Sequence, residues 1–204
     1  MKRRLNKEAL DNSVFLYQPS RPILCSTKNE DGTDHAAPFS WINPVSIDPP
    51  RLALALMNSP KRQRSLDNIE RTGQFVINFP DSALYKKLVR ASYWQNFGEN
   101  KFDRSGFTRR KSRVVEPESI DQCYAHAECK LVRAMPMGDH TFLVADVVSV
   151  SYDDSVLSPS GKPADLPEFR PCIHIQNYDF PETQVHMLAE LDSSYIIQVL
   201  QGDS

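Results

Sequence analysis

Two long apolar segments separated by a short turn restrict the fold more than any other part of this sequence. The segments CYAHAECKLVRA, residues 123–134, and TFLVADVVSVS, residues 141–151, are each typical of a strand. Because the connection between them is short, the two strands must run antiparallel. The other strand segments are too unevenly spaced for alternating βαβ units, so we predict a mainly β, antiparallel barrel with helical insertions.

Shorter segments complete the predicted fold. Two of them predict helices: residues 65–73, with Ser65 as N-cap and Gly73 as stop, and residues 81–92, with Asp81 as N-cap. The segments typical of buried strands are residues 22–27, 52–57, 74–79 and 170–175.

The last part of the chain has apolar residues at helical spacing between Glu182 and Gln201, which predicts a C-terminal helix. We expect a single domain over residues 1–204, with the barrel over about 15–178 and the helical tail over about 181–204.

Glycine is scarce, and its spacing excludes two common nucleotide-binding motifs. The chain of 204 residues has 7 glycines, and the closest two are Gly98 and Gly106. The sequence therefore contains neither the G-x-G-x-x-G turn of dinucleotide-binding folds nor the G-x-x-x-x-G-K phosphate loop. These absences exclude phosphate binding by a glycine-rich loop, but they do not exclude phosphate binding by other residues.

Charge and cysteine content narrow the class of protein further. The formal net charge of −2 argues against a dedicated nucleic-acid-binding protein, which normally has a basic face. No apolar stretch approaches the roughly 20 residues of a membrane span. The 4 cysteines form no C-x-x-C pair, which favours free thiols in a reducing compartment. We therefore expect a cytoplasmic protein that binds neither nucleic acid nor a membrane.

The best candidate for an anion site precedes the first predicted helix. Lys61, Arg62 and Arg64 stand just before its first turn, where the helix dipole disfavours cations. Exposed helix N–H groups, the Ser65 hydroxyl and these cations together predict binding of a phosphate dianion. The alternative is an ordinary solvated basic turn. A second basic run, residues 108–113, is either a solvated face or an attractor for an anionic partner.

The segment that follows the first predicted strand contains residues suited to a flat ligand. It runs from a hydrophilic turn through Ala-Ala-Pro-Phe-Ser-Trp into a buried strand, residues 31–56. Small residues such as Ala37 allow a ligand close to the backbone, and Phe39 and Trp41 could supply apolar ring contacts. The alternative is a proline-rich connection with two core aromatic residues.

Taken in order, these segments resemble a known family. The run A-A-P-F-S followed by S-I-D-P-P, residues 36–50, resembles the signature of the flavin reductase-like family, the FMN-binding split barrels that include flavoredoxins. The resemblance implies a six-stranded Greek-key barrel that forms a homodimer, with FMN in a groove near the subunit interface. The resemblance covers about residues 15–178. Residues 22–27, 65–78, 99–108 and 138–150 also match the family pattern.

The resemblance also implies which residues bind the ligands. His140, in the family's G-D-H turn, matches a histidine that lies near nicotinamide in some members, so it is the expected substrate-binding residue. The residues that match cofactor-binding positions, or replace them, are Ser26, Thr27, Ala37, Ser40, Trp41, Asn58, Ser59, Lys61, Arg62, Ser65 and Lys101.

Departures from the family pattern fall at two site positions. His35 stands where the family usually has asparagine, and Asn58 stands where many relatives have arginine. The second departure weakens one phosphate contact, which Lys61 or Arg64 could replace. The predicted helical tail after Pro181 is longer than the family pattern.

A metal site and a catalytic acid–base residue are both disfavoured. Cys123, His126 and Cys129 have spacing that suggests metal ligands, but a strand would point the histidine away from the cysteines, and a fourth ligand is missing. Hydride transfer between nicotinamide and flavin requires orientation and electrostatics rather than a general acid or base. We therefore predict no metal and assign no catalytic residue.

Three functions remain open at this point. The first is an FMN-dependent oxidoreductase in which NADH or NADPH reduces bound flavin, and the flavin passes electrons to free flavin, a partner monooxygenase or another acceptor. The second is a non-catalytic FMN-binding protein or electron carrier. The third is an interaction module whose FMN site has decayed, because a fold alone does not determine function.

Overall fold

A computed structural model describes residues 2–93, 100–154, 156–157, 171–176 and 186–190. Its main feature is a seven-stranded antiparallel sheet in the order β2-β1-β5-β8-β9-β4-β3. The strands are β1 (Ile23–Lys28), β2 (Asp34–Phe39), β3 (Ile42–Ser46), β4 (Arg51–Met57), β5 (Gln74–Phe79), β8 (Ala125–Met137) and β9 (His140–Tyr152). Between β5 and β8, the short strands β6 (Arg109–Arg110) and β7 (Ser119–Ile120) form a separate two-stranded ladder.

The sheet closes into a barrel because its two edge strands are almost continuous in sequence. Only Ser40 and Trp41 separate β2 from β3, which lie at opposite edges. Three Cα–Cα steps span at most about 11 Å, so the two edges must meet. If β2 and β3 are counted as one bent strand, the barrel has six strands. The prediction of a mainly β, antiparallel split barrel is confirmed.

The β8–β9 hairpin is longer than predicted. Both strands continue through the segment expected to be a turn, and only Gly138 and Asp139 separate them. Gly138 has a φ of 70°, in the left-handed region that a glycine adopts without strain. The hairpin therefore ends in a tight turn that carries Asp139 and His140 at the rim of the barrel.

Helix α1 (Arg64–Thr72) packs its apolar side chains Leu66 and Ile69 into the barrel core. It ends at Gly73, which has left-handed backbone geometry and donates its N–H to the Ile69 carbonyl, as predicted. The predicted cap at Ser65 is wrong. The N-cap is Gln63, without a side-chain capping bond, so Ser65 already lies inside the helix.

A second apolar layer covers the outside of β1 and β2. It is built by α2 (Tyr85–Ser92) and α3 (Lys101–Arg104), and its buried side chains include Leu24 from β1 and Phe102 from α3. The predicted helix at 81–92 is divided, because a 3-10 turn (Ser82–Leu84) precedes α2. Asp81 caps that turn by accepting the Ala83 N–H, rather than capping α2. Another 3-10 helix, Lys7–Tyr17, precedes the barrel.

The predicted C-terminal helix is wrong where the structure describes the tail. Strand β11 (His186–Glu190) pairs antiparallel with β10 (Cys172–Gln176), so residues 186–190 are extended. Five residues are too few for apolar spacing to distinguish a helix from a strand, and the pairing with β10 determines the outcome. The remainder of the predicted helix lies outside the described residues. Within the part that the structure describes, no helix has the length and apolar character needed to cross a membrane.

A buried carboxylate anchors the loop that leads into β8. Glu128 is 4% exposed, and its two carboxylate oxygens accept the backbone N–H groups of Arg113, Val114 and Val115 at 2.8, 2.6 and 3.1 Å. Burial raises the pKa of Glu128, but the hydrogen bonds outweigh burial and hold the pKa below its ordinary value. The ionised carboxylate therefore stabilises the folded chain.

Replacing this carboxylate should lower stability in a pH-dependent way. We expect Glu128→Gln to lower the free energy of unfolding at pH 7 by about 1–3 kcal/mol, because the amide leaves buried N–H donors unsatisfied. The stabilisation by Glu128 is present above its unfolded-state pKa and is lost as pH falls through the folded-state pKa. In urea denaturation, the difference from wild type should therefore shrink at acidic pH. The exposed Glu116→Gln on the same loop is the control, and an equal effect of both variants would contradict the prediction.

Candidate functional site

The connection between β4 and α1 is a short loop closed at its base. The Met57 N–H donates to Gln63 Oε1 at 2.9 Å, and the Gln63 N–H donates to the Met57 carbonyl at 3.1 Å. These two bonds close the loop formed by residues 58–62, which contains four of the predicted cofactor-binding residues: Asn58, Ser59, Lys61 and Arg62. The loop is thereby held between the end of a barrel strand and the start of a helix.

The same loop is joined to the β8–β9 turn. The N–H groups of Asn58 and Ser59 both donate to the Asp139 carbonyl, at 2.8 and 3.2 Å. Asn58 Nδ2 also donates to Thr141 Oγ1 at 3.1 Å. Because these bonds cross the rim of the barrel, the structure brings the predicted residues Asn58 and Ser59 next to the turn that carries His140.

Two rings form a stacked pair at this rim. The rings of Trp41 and His140 lie 4.6 Å apart between centroids at an interplanar angle of 26°. Asp139 Oδ1 lies 2.9 Å from His140 Nδ1, and this hydrogen bond lowers the pKa of Asp139. The Trp41 carbonyl accepts the Ala55 N–H at 3.0 Å. The pair is therefore an aromatic surface whose histidine is held in orientation by a carboxylate.

The start of α1 contains an unsatisfied buried hydroxyl. Ser65 is 1% exposed, and its Oγ has no hydrogen-bond partner among the described residues. Burying such a group costs free energy unless a partner completes it. The first N–H groups of an α-helix also lack acceptors within the helix. The hydroxyl and these donors together fit the oxygen atoms of an anionic group.

The basic residues before α1 take different positions. Arg62 forms ion pairs with Asp67 and Glu70 on the exposed face of the helix, and these partners raise its pKa. Lys61 is exposed. Arg64 instead acts electrostatically on residues from two other elements, His35 of β2 and Lys101 of α3. The structure thus separates the three cations that the sequence grouped together.

Arg64 belongs to a cluster of basic groups, which we call the cationic cluster: His35, Arg64, Lys101 and Arg104. Lys101 is 9% exposed and donates from Nζ to the Ala91 carbonyl at 3.0 Å. Burial, followed by Arg64 and Arg104, lowers the pKa of Lys101 to about 8. Burial, followed by Lys101 and Arg64, lowers the pKa of His35 to about 3. A bound anion would offset the repulsion between these positively charged groups.

Ser26, Thr27 and Ala37 are buried in the barrel wall rather than open to a groove. Asn78 Nδ2 donates to Ser26 Oγ at 3.0 Å, and Asn68 Nδ2 donates to Thr27 Oγ1 at 3.0 Å. The two hydroxyls therefore fix the position of β1 against β5 and α1. Sequence reasoning missed both asparagines. Asn78 interrupts the apolar strand segment QFVINF, which is a usable signal, whereas Asn68 lies among other polar residues of α1.

Ser40 faces away from the Trp41–His140 pair. Its Oγ lies 3.2 Å from Nδ1 of His174 in β10. The two residues line a small cavity of about 90 Å³ together with apolar side chains that include Phe39 and Leu88. The structure therefore places Ser40 and Trp41, neighbours in sequence, in different surroundings.

The remaining sequence motifs are accounted for by structural contacts. Arg109, from the second basic run, pairs with Asp103 at 2.7 Å and with Asp34 at 3.5 Å, and its guanidinium lies over the Phe102 ring. His126 uses both ring nitrogens, at 3.2 Å from Ser151 Oγ and 2.8 Å from the Ile120 carbonyl. The described residues contain no group of three potential metal ligands.

The depressed pKa of Lys101 has a measurable consequence for stability. Because the unfolded chain binds this proton up to a pH of about 10, the contribution of Lys101 to the free energy of unfolding should rise between pH 8 and pH 10. We expect the change in the free energy of unfolding across this range to be more positive in wild type than in Lys101→Met, by on the order of 1 kcal/mol. Urea denaturation across this range tests the expectation, with the exposed Lys86→Met as control. Parallel profiles for wild type and Lys101→Met would contradict it.

Comparison with known proteins places this geometry in a family. The sequence model of the flavin reductase like domain matches residues 17–174. An uncharacterized protein of Archaeoglobus fulgidus is 32% identical over 159 residues, which cover 78% of this chain and 85% of that protein.

Solved structures agree in fold. Nitrilotriacetate monooxygenase component B from Bacillus cereus superposes with a TM-score of 0.83 at 18% identity, covering 97% of this chain and 99% of that one. Flavoredoxin from Methanosarcina acetivorans superposes with a TM-score of 0.78 at 21% identity, covering 98% and 96%. Since the domain match extends over most of the sequence, the chain belongs to the flavin reductase-like family.

Proposed function

We propose that this protein is an FMN-dependent oxidoreductase of the flavin reductase type, which uses NADH or NADPH as reductant. The observation that carries the proposal is the buried, unsatisfied Ser65 hydroxyl in the first turn of α1, next to Arg64, a cation that also lowers the pKa values of Lys101 and His35. This arrangement fits a phosphate monoester without a glycine-rich loop. It belongs to a chain of the flavin reductase-like family, which supports a flavin as the molecule that carries the phosphate.

The phosphate of FMN would bind at the start of α1. Ser65 and the first helix N–H groups supply hydrogen-bond donors, while Arg64 and Lys101 supply positive charge. Ser59, in the loop closed by Met57 and Gln63, lies on the same connection and could add a donor. Lys61 and Arg62 remain candidates for further phosphate contacts, although Arg62 would have to share its guanidinium with Asp67 and Glu70.

The ring system of the flavin would lie toward the Trp41–His140 pair. Trp41 supplies an aromatic face, and His140 is held by Asp139 so that its ring can contact a nicotinamide. The bound flavin would accept a hydride from nicotinamide and pass the electrons to an acceptor. The chain's own contribution is then to orient the two rings and to neutralise the phosphate, and no acid–base residue is required.

The proposal includes an electron acceptor and a second copy of the chain. A monooxygenase component B and a flavoredoxin share this fold, which supports transfer of electrons to free flavin, a monooxygenase or another protein. We also propose that the protein is a cytoplasmic homodimer that binds FMN near the subunit interface.

Flavin titrations test the phosphate site. We expect the purified protein to bind FMN more tightly than riboflavin, since riboflavin lacks the phosphate. Ser65→Ala and Lys101→Met should each weaken FMN binding by about tenfold, equivalent to about 1.4 kcal/mol, and leave riboflavin binding unchanged. Quenching of flavin fluorescence provides the measurement.

Two comparisons control this experiment. Lys86→Met removes an exposed lysine from α2 and should leave both affinities unchanged. Lys101→Met should weaken FMN binding more than Arg62→Gln, because the charge of Arg62 is already offset by two carboxylate partners. A protein that binds neither flavin would overturn the proposed function and favour an interaction module.

Anaerobic stopped-flow mixing with NADH or NADPH tests the oxidoreductase activity. We expect the absorbance of bound flavin to bleach with one or both nucleotides. His140→Ala should slow bleaching by about tenfold or more at a subsaturating nucleotide concentration, because the nicotinamide would lose a positioned ring. FMN affinity is measured in parallel to separate cofactor loss from slow reduction. Bound flavin that stays oxidised with both nucleotides would leave an electron carrier as the function.

A further inference from the structure

Asn58 forms hydrogen bonds with the two residues that flank His140 in sequence. Its backbone N–H donates to the Asp139 carbonyl at 2.8 Å, and its side-chain Nδ2 donates to Thr141 Oγ1 at 3.1 Å. The Ser59 N–H adds a further bond to the Asp139 carbonyl at 3.2 Å. One residue of the loop between β4 and α1 therefore holds the chain on both sides of the histidine.

These bonds lie where the strand pairing ends. His140 is the terminal paired residue of β9 in two ladders, with Met57 of β4 on one side and Met137 of β8 on the other. The ends of a ladder open more readily than its middle, because fewer contacts hold them. The bonds of Asn58 extend the β4–β9 pairing past His140, so they restrain the part of β9 that is most prone to fray.

The Thr141 side chain is a fixed anchor for this restraint. Thr141 is 2% exposed and lies opposite Leu56, which is buried in the barrel core. Successive residues of a strand face opposite sides of the sheet, so the His140 ring lies on the other side, where it stacks on Trp41. Asn58 therefore fixes β9 from the inner side and does not compete for the ring of His140.

We propose that Asn58 is a positioning residue for the reductant, which holds residues 139–141 so that the His140 ring contacts the nicotinamide of NADH or NADPH. The inference rests on the proposed function and deepens it. A hydride passes from the nicotinamide, which is oxidised, to the flavin, which is reduced, and Asn58 exchanges neither a proton nor an electron. Its effect on the rate arises because such transfers are sensitive to displacements of about 1 Å.

Stopped-flow reduction of the FMN-saturated protein tests this role, with whichever of NADH and NADPH bleaches the wild-type flavin. Asn58→Ala and Thr141→Val remove the same side-chain hydrogen bond from opposite ends, so we expect each to slow bleaching about three- to tenfold. The double variant should be no slower than the slower single variant, because the bond is already lost. Dithionite, which needs no positioned nicotinamide, should reduce every variant at the wild-type rate.

A second comparison tests whether Asn58 acts through His140. Asn58→Ala should have no further effect on the rate in the His140→Ala background, because the ring that it positions is missing. Gln122→Ala is the matched control, since Gln122 Nε2 also donates to a threonine, Thr108 Oγ1, at 2.9 Å. Gln122 precedes the start of β8 at Ala125, at the opposite end of that strand from His140, so this variant should bleach at the wild-type rate.

NMR of the flavin-free protein provides a measurement that does not depend on activity. The indole ring of Trp41 shifts the ring-proton signals of the stacked His140, which His140→Ala identifies by their loss. Asn58→Ala and Thr141→Val should move these signals toward those of an unstacked histidine, and Gln122→Ala should leave them unchanged. Unchanged His140 signals in Asn58→Ala would overturn the inference.

The kinetic outcomes separate this inference from the proposed function. A wild-type rate in Asn58→Ala, equal slowing with dithionite, or additive slowing with His140→Ala would overturn the inference and leave the oxidoreductase activity standing. Failure of both nucleotides to reduce the wild-type flavin would overturn the activity and the inference together. If Thr141→Val does not fold, the half-buried Asn58→Ala, alone and in the His140→Ala background, decides the question.

Discussion

The direct connection between the two edge strands of the sheet determines the rest of this structure. Since Ser40 and Trp41 alone join β2 to β3, the sheet must curl until its edges meet. Closure gives the barrel a rim. The β8–β9 turn and the loop that leads into α1 lie together at this rim. Ser40 then contacts His174, while Trp41 stacks on His140, so the same connection separates two chemical environments.

The electrostatic character of the rim arises from where the helices meet the barrel. α1 packs Leu66 and Ile69 into the core. Arg62 then lies on the exposed face with Asp67 and Glu70, whereas Arg64 acts electrostatically on Lys101 of α3. Helix dipole arguments predict an anion at this end of α1, but the packing determines which side chains each cation contacts.

The elements predicted best from sequence are those whose signals are local. Strand β5 has the predicted bounds of residues 74–79, and Gly73 ends α1 as its backbone conformation requires. The Ser65 cap was wrong because Gln63 lies one residue before the helix and bonds back to Met57, which starts the helix earlier. The extended segment at 186–190 depends on pairing with β10, which no local pattern encodes.

The cationic cluster could not be predicted for the same reason. His35, Arg64 and Lys101 lie on three different elements, and they act on one another electrostatically only after the barrel and its outer helical layer have formed. Each residue was noticed separately in the sequence, as a departure from a family pattern, as part of a basic run and as a match to a lysine. Their common electrostatic effect is a property of the tertiary structure.

An arrangement of this kind destabilises the free protein in a way that a bound anion can reverse. The buried Ser65 hydroxyl lacks a partner among the described residues, and burial with like charges disfavours the charged forms of Lys101 and His35. Natural chains retain such local costs where a ligand removes them. A phosphate supplies acceptors for the hydroxyl and negative charge for the cations at once. Binding of a phosphate, as proposed, would explain why this chain keeps both the buried Lys101 and an unsatisfied hydroxyl in the first turn of α1.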